Sequence, residues 1–156
     1  MIPNLFVKQK IPSELPEILE NKISEILKIS KNKEEFLKNS FFYIVENRWG
    51  SRRNLICKFD RLFEKDISKI INSKWYLHCT TMNFLLRIMA VKSGLFSDKN
   101  IKLKLTNSRY IAPHQYLEIK LSEDEVVILD PWNYQFGIDY GKYWSGFDSI
   151  KMSPIR

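Results

Sequence analysis

The run from Cys79 to Val91 constrains this chain more than any other. Met82, Phe84, Leu85, Leu86, Ile88, Met89 and Val91 spread around nearly the whole circumference of a helix, so that helix has no face to offer water. Other elements must surround it, and 156 residues suffice to do so as one domain. Gly94 is its natural C′ residue. The run carries Arg87 and falls short of the roughly 18 uncharged apolar residues of a membrane span, so it predicts a core helix and no membrane partner.

The flanking segments supply the covering layers. Residues 14–29 place Leu15, Ile18, Leu19, Ile23, Ile26 and Leu27 at helical spacing, with Ser13 as N-cap and Pro16 in the first turn. A second helix is predicted from Lys33 to about Arg48, opened by Asn32 with Glu35 three residues on. A third apolar stripe runs through Leu55, Ile56, Phe59, Leu62, Phe63, Ile67, Ile70 and Ile71. After Gly94 the period changes. Ile101, Leu103 and Leu105 alternate with lysines, Gln115 to Leu121 alternates again, residues 122–125 form a polar turn, and Val126 to Asp130 is a short apolar strand. Helices first and antiparallel strands second give an α+β fold: N-terminal helices and a buried central helix carrying Cys79, packed on an antiparallel sheet. With no repeat or linker, residues 1–156 read as a single domain: a helical N-terminal extension (1–40), a core (41–135) and an aromatic-rich C-terminal segment (136–156).

Charge separates the function classes. Lys and Arg number 25 against 18 Asp and Glu, but residues 1–40, 41–110 and 111–156 carry +1, +9 and −3. The basic excess is spread through helical and strand patterns rather than packed into a tail, as compositional bias would leave it. The aromatic residues from Trp132 to Phe147 could stack on bases, yet that third is net acidic and repels phosphates, so they read as core covering or a cleft wall. A nucleic-acid partner is disfavoured. Two cysteines, Cys57 and Cys79, make no disulfide framework, and the first residues lack a signal-peptide pattern, so a reducing cytoplasm is expected.

Three residues carry chemistry by their placement: Cys79 at a helix start, His114 opening a strand and Asp130 ending the next. A cysteine in the first helical turn meets the positive end of the dipole and unpaired N–H groups, which favour thiolate. Imidazole can take and return the proton of such a nucleophile, and a carboxylate can fix the imidazole tautomer. A hairpin turning at 122–125 sets 121 beside 126 and therefore 117 beside 130. His114 then lies about 10 Å along the strand from Asp130 at roughly 3.3 Å per residue, out of reach unless a bulge or shifted register intervenes. Metal binding by His78, Cys79 and His114 is a weaker pattern, because zinc sites want four ligands or three and water. Cys57, without a following His and Asp in order, reads as a core thiol.

The run from His78 to Arg87 with Gly94, then His114 to Ile119, then Val127 to Trp132 with its Asp130-Pro131, resembles the transglutaminase-like superfamily of papain-type folds over residues 40–135. The resemblance implies a Cys-His-Asp triad of Cys79, His114 and Asp130. It also implies an oxyanion donor at Trp49, working with the Cys79 backbone N–H; Trp75 is nearer in sequence and competes for that role. The activity implied is cleavage or transfer of acyl groups at amide bonds through a cysteine thioester, most simply by a peptidase or amidohydrolase. The substrate would be a protein or peptide, and neither metal nor organic cofactor is required. The alternative is a catalytically inactive module of the same fold whose basic middle third contacts an acidic protein or nucleic-acid partner.

Overall fold

The structure is a computed structural model that describes residues 7–48, 64–72, 77–108 and 112–143. Trp49, Cys57, Trp75 and residues 144–156 lie outside the described residues. Among the described residues, four α-helices precede a three-stranded sheet: α1 (Glu17–Ile29), α2 (Lys33–Asn47), α3 (Ile67–Asn72), α4 (Cys79–Lys92), β1 (Ile101–Ser108), β2 (Ala112–Lys120) and β3 (Val126–Leu129). The fold is therefore mixed α+β, with an antiparallel sheet in the order β1-β2-β3. Among the described residues, no helix is long and apolar enough to cross a membrane.

Local chemistry sets most of the boundaries. The carbonyl of Pro16 accepts from Leu19 and Glu20, so α1 begins after the proline rather than at the expected Ser13 cap. The reason is steric: the proline ring disfavours helical backbone at Leu15. Asn32 caps α2 as expected, its side chain accepting from the Glu35 N–H, while Glu35 reaches back to the Lys31 N–H. The third stripe is not one continuous helix. Residues 64–66 are non-helical, and Asp66 accepts from Ser68 and Lys69 to open α3; Leu55 to Phe63 lie outside the described residues. Helix α4 ends at Gly94, which takes φ +76, a backbone conformation in which an L side chain is strained.

Every residue from Cys79 through Ala90 is buried, as the all-round apolar pattern predicts. Leu19, Phe36, Leu37, Phe41, Ile70, Leu85, Met89, Leu117, Ile119 and Leu129 belong to the single cluster that surrounds α4. Each large side chain so buried contributes about 1.5–3 kcal/mol. That gain offsets the cost of the polar groups buried on α4, most of which is met where they are bonded, as at Arg87. Arg87, 2% exposed, makes two parallel bonds to Asp98, Nε to Oδ1 at 2.6 Å and a terminal nitrogen to Oδ2 at 3.0 Å. Hydrogen bonding by Arg87 holds the Asp98 carboxyl below its usual range against the opposing effect of burial. Lys8 donates to the Asp98 and Ile101 carbonyls, so the N-terminal segment clasps the same end of α4.

The β2–β3 register differs by one from the expected hairpin. Leu117 pairs with Leu129 and Lys120 with Val126, and the Leu121 N–H donates to the Glu125 carbonyl at 2.9 Å. The Glu125 carbonyl, just ahead of β3, accepts from both Leu121 and Ser122, which tightens the reversal by one residue. A slip of one exchanges the faces of a whole strand. Its effect falls on Asp130.

Candidate active site

Asp130 sits one residue past β3. Continuing the observed register sets it opposite Tyr116, on the face that His114 and Tyr116 share, whereas the expected register put it on the face of Leu117. His114 and Asp130 are then diagonal neighbours across the ladder, a separation that long side chains bridge. They do so: His114 Nε2 lies 2.8 Å from Asp130 Oδ1. The expected 10 Å gap is absent because the turn is one residue tighter.

Cys79 is brought to this pair by a second device. β2 runs from residue 112 to 120, but β3 pairs only with 117–120, so among the described residues no strand lies on that side of the 112–116 stretch. Helix α4 packs there. Asn83 Nδ2 donates to the Gln115 carbonyl at 2.7 Å, filling a position at the strand edge that β3 leaves open. Cys79 is four residues before Asn83 and shares its helix face, one turn nearer the N-terminus. That turn brings the thiol close enough to His114, the residue preceding Gln115, to help raise the imidazole pKa.

The electrostatics follow from burial and pairing. His114 is 2% exposed and Asp130 1%, while Cys79 at 8% is the outermost of the three. Burial pulls the His114 pKa down, but the Asp130 charge and hydrogen bond and the Cys79 contact outweigh it, pushing the imidazole up to about 10. Cys79 opens α4 after His78, whose extended backbone caps the helix and whose carbonyl accepts from Thr81 and Met82. The two N–H groups ahead of these, on Cys79 and Thr80, have no acceptor one turn back within the helix, and they lie at the thiol end. Trp132 covers the imidazole, with ring centroids 5.7 Å apart.

Two residues of the site escaped sequence reasoning. Asn83 is an amide inside an apolar helix, and its one visible signal is that it lies four residues after Cys79. Asn133, fully buried, follows Asp130 by three; its Nδ2 donates to Asp130 Oδ2 at 2.9 Å and its backbone N–H to Oδ1 at 3.3 Å. The expected oxyanion donor Trp49 and its competitor Trp75 lie outside the described residues. Among the described residues, no group of three or more His, Cys, Asp or Glu side chains could hold a metal ion. Cys79 carries a free thiol. A thiol beside an imidazole that is itself bonded to a carboxylate can pass a proton between sulfur and a bound group. Compared with family models, curated proteins and solved structures, the chain matches none.

Proposed function

We propose that this chain is a cysteine-dependent enzyme that cleaves or transfers acyl groups at amide bonds, most simply a peptidase or amidohydrolase with a transglutaminase-like, papain-type core working in a reducing cytoplasm. The observation that carries the reading is His114, buried between the Asp130 carboxylate and the Cys79 thiol at a helix N-terminus. The Cys79 thiolate attacks the carbonyl carbon of the amide, and the carbonyl π electrons move to oxygen. The Cys79 N–H, with Trp49 as the resemblance implies, receives that oxyanion. Collapse of the intermediate expels the amine, which takes the proton from His114 Nδ1, and leaves a thioester on Cys79. Water then attacks the thioester as His114 takes its proton, releasing the acid and restoring the thiolate. An amine in place of water would give acyl transfer. Asp130 holds the Nε2 proton throughout and stabilises the imidazolium.

Acylation with p-nitrophenyl acetate tests this directly. The proposal expects release of p-nitrophenol together with an acetyl adduct on Cys79 by mass spectrometry, both lost in Cys79→Ala. Faster decay of the adduct on adding a primary amine would favour transfer over hydrolysis. A chain that forms no adduct, or that acetylates equally without Cys79, is a binding module instead.

A further inference from the structure

Asn133 touches both members of the His–Asp pair yet has no part in the mechanism above. Its Nδ2 donates to Asp130 Oδ2 at 2.9 Å, its backbone N–H donates to Asp130 Oδ1 at 3.3 Å, and Nδ2 lies 3.0 Å from His114 Nε2. Asp130 Oδ2 draws Nδ2 toward it, against the donor–donor contact this leaves between Nδ2 and a protonated His114 Nε2. Reversed, Asn133 Oδ1 would face Asp130 Oδ2, and two acceptors at that distance repel. Oδ1 itself is buried with no partner, so nothing at the other end of the amide competes for the choice.

The bonds divide the carboxylate. Oδ2 receives the side-chain amide, and Oδ1 receives the backbone N–H and the imidazole. A carboxylate held at both oxygens cannot rotate about its last bond, so Oδ1 stays aimed at Nε2. We infer that Asn133 is the positioning residue of this site: by clamping Asp130 it keeps the His114 proton on Nε2 and leaves Nδ1 to the Cys79 thiol. The inference rests on the proposed Cys-His-Asp reading and adds to it a fourth residue that never meets the substrate.

The test uses the full chain and two readouts. One is the low-field proton resonance of the His114 Nε2–H, identified by its loss in Asp130→Ala. The other is the rate of Cys79 alkylation by iodoacetamide, followed by mass spectrometry from about pH 5 to 9. Asn133→Ala should lose the resonance and slow alkylation at about pH 6 by roughly tenfold to a hundredfold, the effect of one hydrogen bond to a charged group.

Asn133→Asp is nearly isosteric and gives the sharper result. Two carboxyls this close cannot both ionise readily, so one holds a proton well above the ordinary carboxyl range. While that proton is present it bridges to Asp130 Oδ2 as the amide did, and the resonance and rate should approach the native values. Above its titration the two carboxylates repel, and both signals should fall to those of Asn133→Ala. A merely structural role would show no such pH-dependent rescue. Native resonance and rate in Asn133→Ala, or an Asn133→Asp variant indifferent to pH, would overturn the inference. Should Asn133→Ala fail to fold, the acid and alkaline limbs of Asn133→Asp decide alone. Slow, His114-independent alkylation of the native chain would remove the enzymatic reading, and the resonance would still decide the role of Asn133.

Discussion

His114 couples the site to the stability of the whole fold. Its pKa stands near 6.5 in the unfolded chain and about 10 in the folded one. Below pH 6.5 both states hold the proton, and pairing with Asp130 and Cys79 contributes in full. Between about 6.5 and about 10 the unfolded chain has lost the proton while the folded chain keeps it, so the contribution drains away with rising pH. Denaturant unfolding should therefore show stability falling across that window, and His114→Ala should flatten the fall. A native chain whose stability is level from pH 6.5 to 10 would mean that the imidazole carries no such proton. Cys79, His114 and Asp130 were legible because each stands at the boundary of an element whose period can be read. Asn83 and Asn133 were not, because their roles are bonds to groups 32 and 3 residues away that only the folded register defines.

At the scale of elements, Asn83 and Gly94 lie near opposite ends of α4 and predict opposite signatures. Asn83→Ala removes the donor to the Gln115 carbonyl, should cost about 1–3 kcal/mol, and should also slow Cys79 alkylation, because the helix loses its fixed point on β2. Gly94→Ala meets nothing within 4 Å, so only its positive φ opposes the change. It should cost about 1 kcal/mol and leave the thiol unaffected. Urea unfolding and labelling of the two variants check the contrast. If Asn83→Ala lowers stability and leaves the thiol rate native, the amide does not set the thiol's position. The helices and strands could be read from periodicity, since 3.6 and 2 are properties of short windows. The hairpin register could not. Whether the reversal tightens by one residue depends on the backbone bonds to the Glu125 carbonyl, and the register they set decides which face Asp130 shares. The break at residues 64–66 was hidden for a similar reason, because an apolar stripe continues across a capping Asp66 without losing phase.

For the molecule as a whole, the apolar circumference of α4 dictates the architecture. Helices α1, α2 and α3 and the sheet all contribute to the core around it, and the N-terminus of α4 meets the sheet where β3 is too short to cover β2. The chain after Asp130 then runs back over α2. Tyr134 and Tyr140 meet Phe41 edge to face at 5.7 and 5.5 Å, so these two of the C-terminal aromatic residues cover the core. The α+β class followed from element order, whereas the contact among Cys79, His114 and Asp130 depended on a strand edge left open and a turn tightened by one residue. The most direct measurement is the pH dependence of iodoacetamide labelling of Cys79 on the folded chain, resolved from Cys57 by mass spectrometry, with His114→Ala beside it. A catalytic ion pair predicts rapid labelling at about pH 6, well below the usual cysteine pKa of about 8.5, and a slowing of tenfold or more without the imidazole. Slow labelling that ignores His114 would contradict it and leave Cys79 as a buried core thiol.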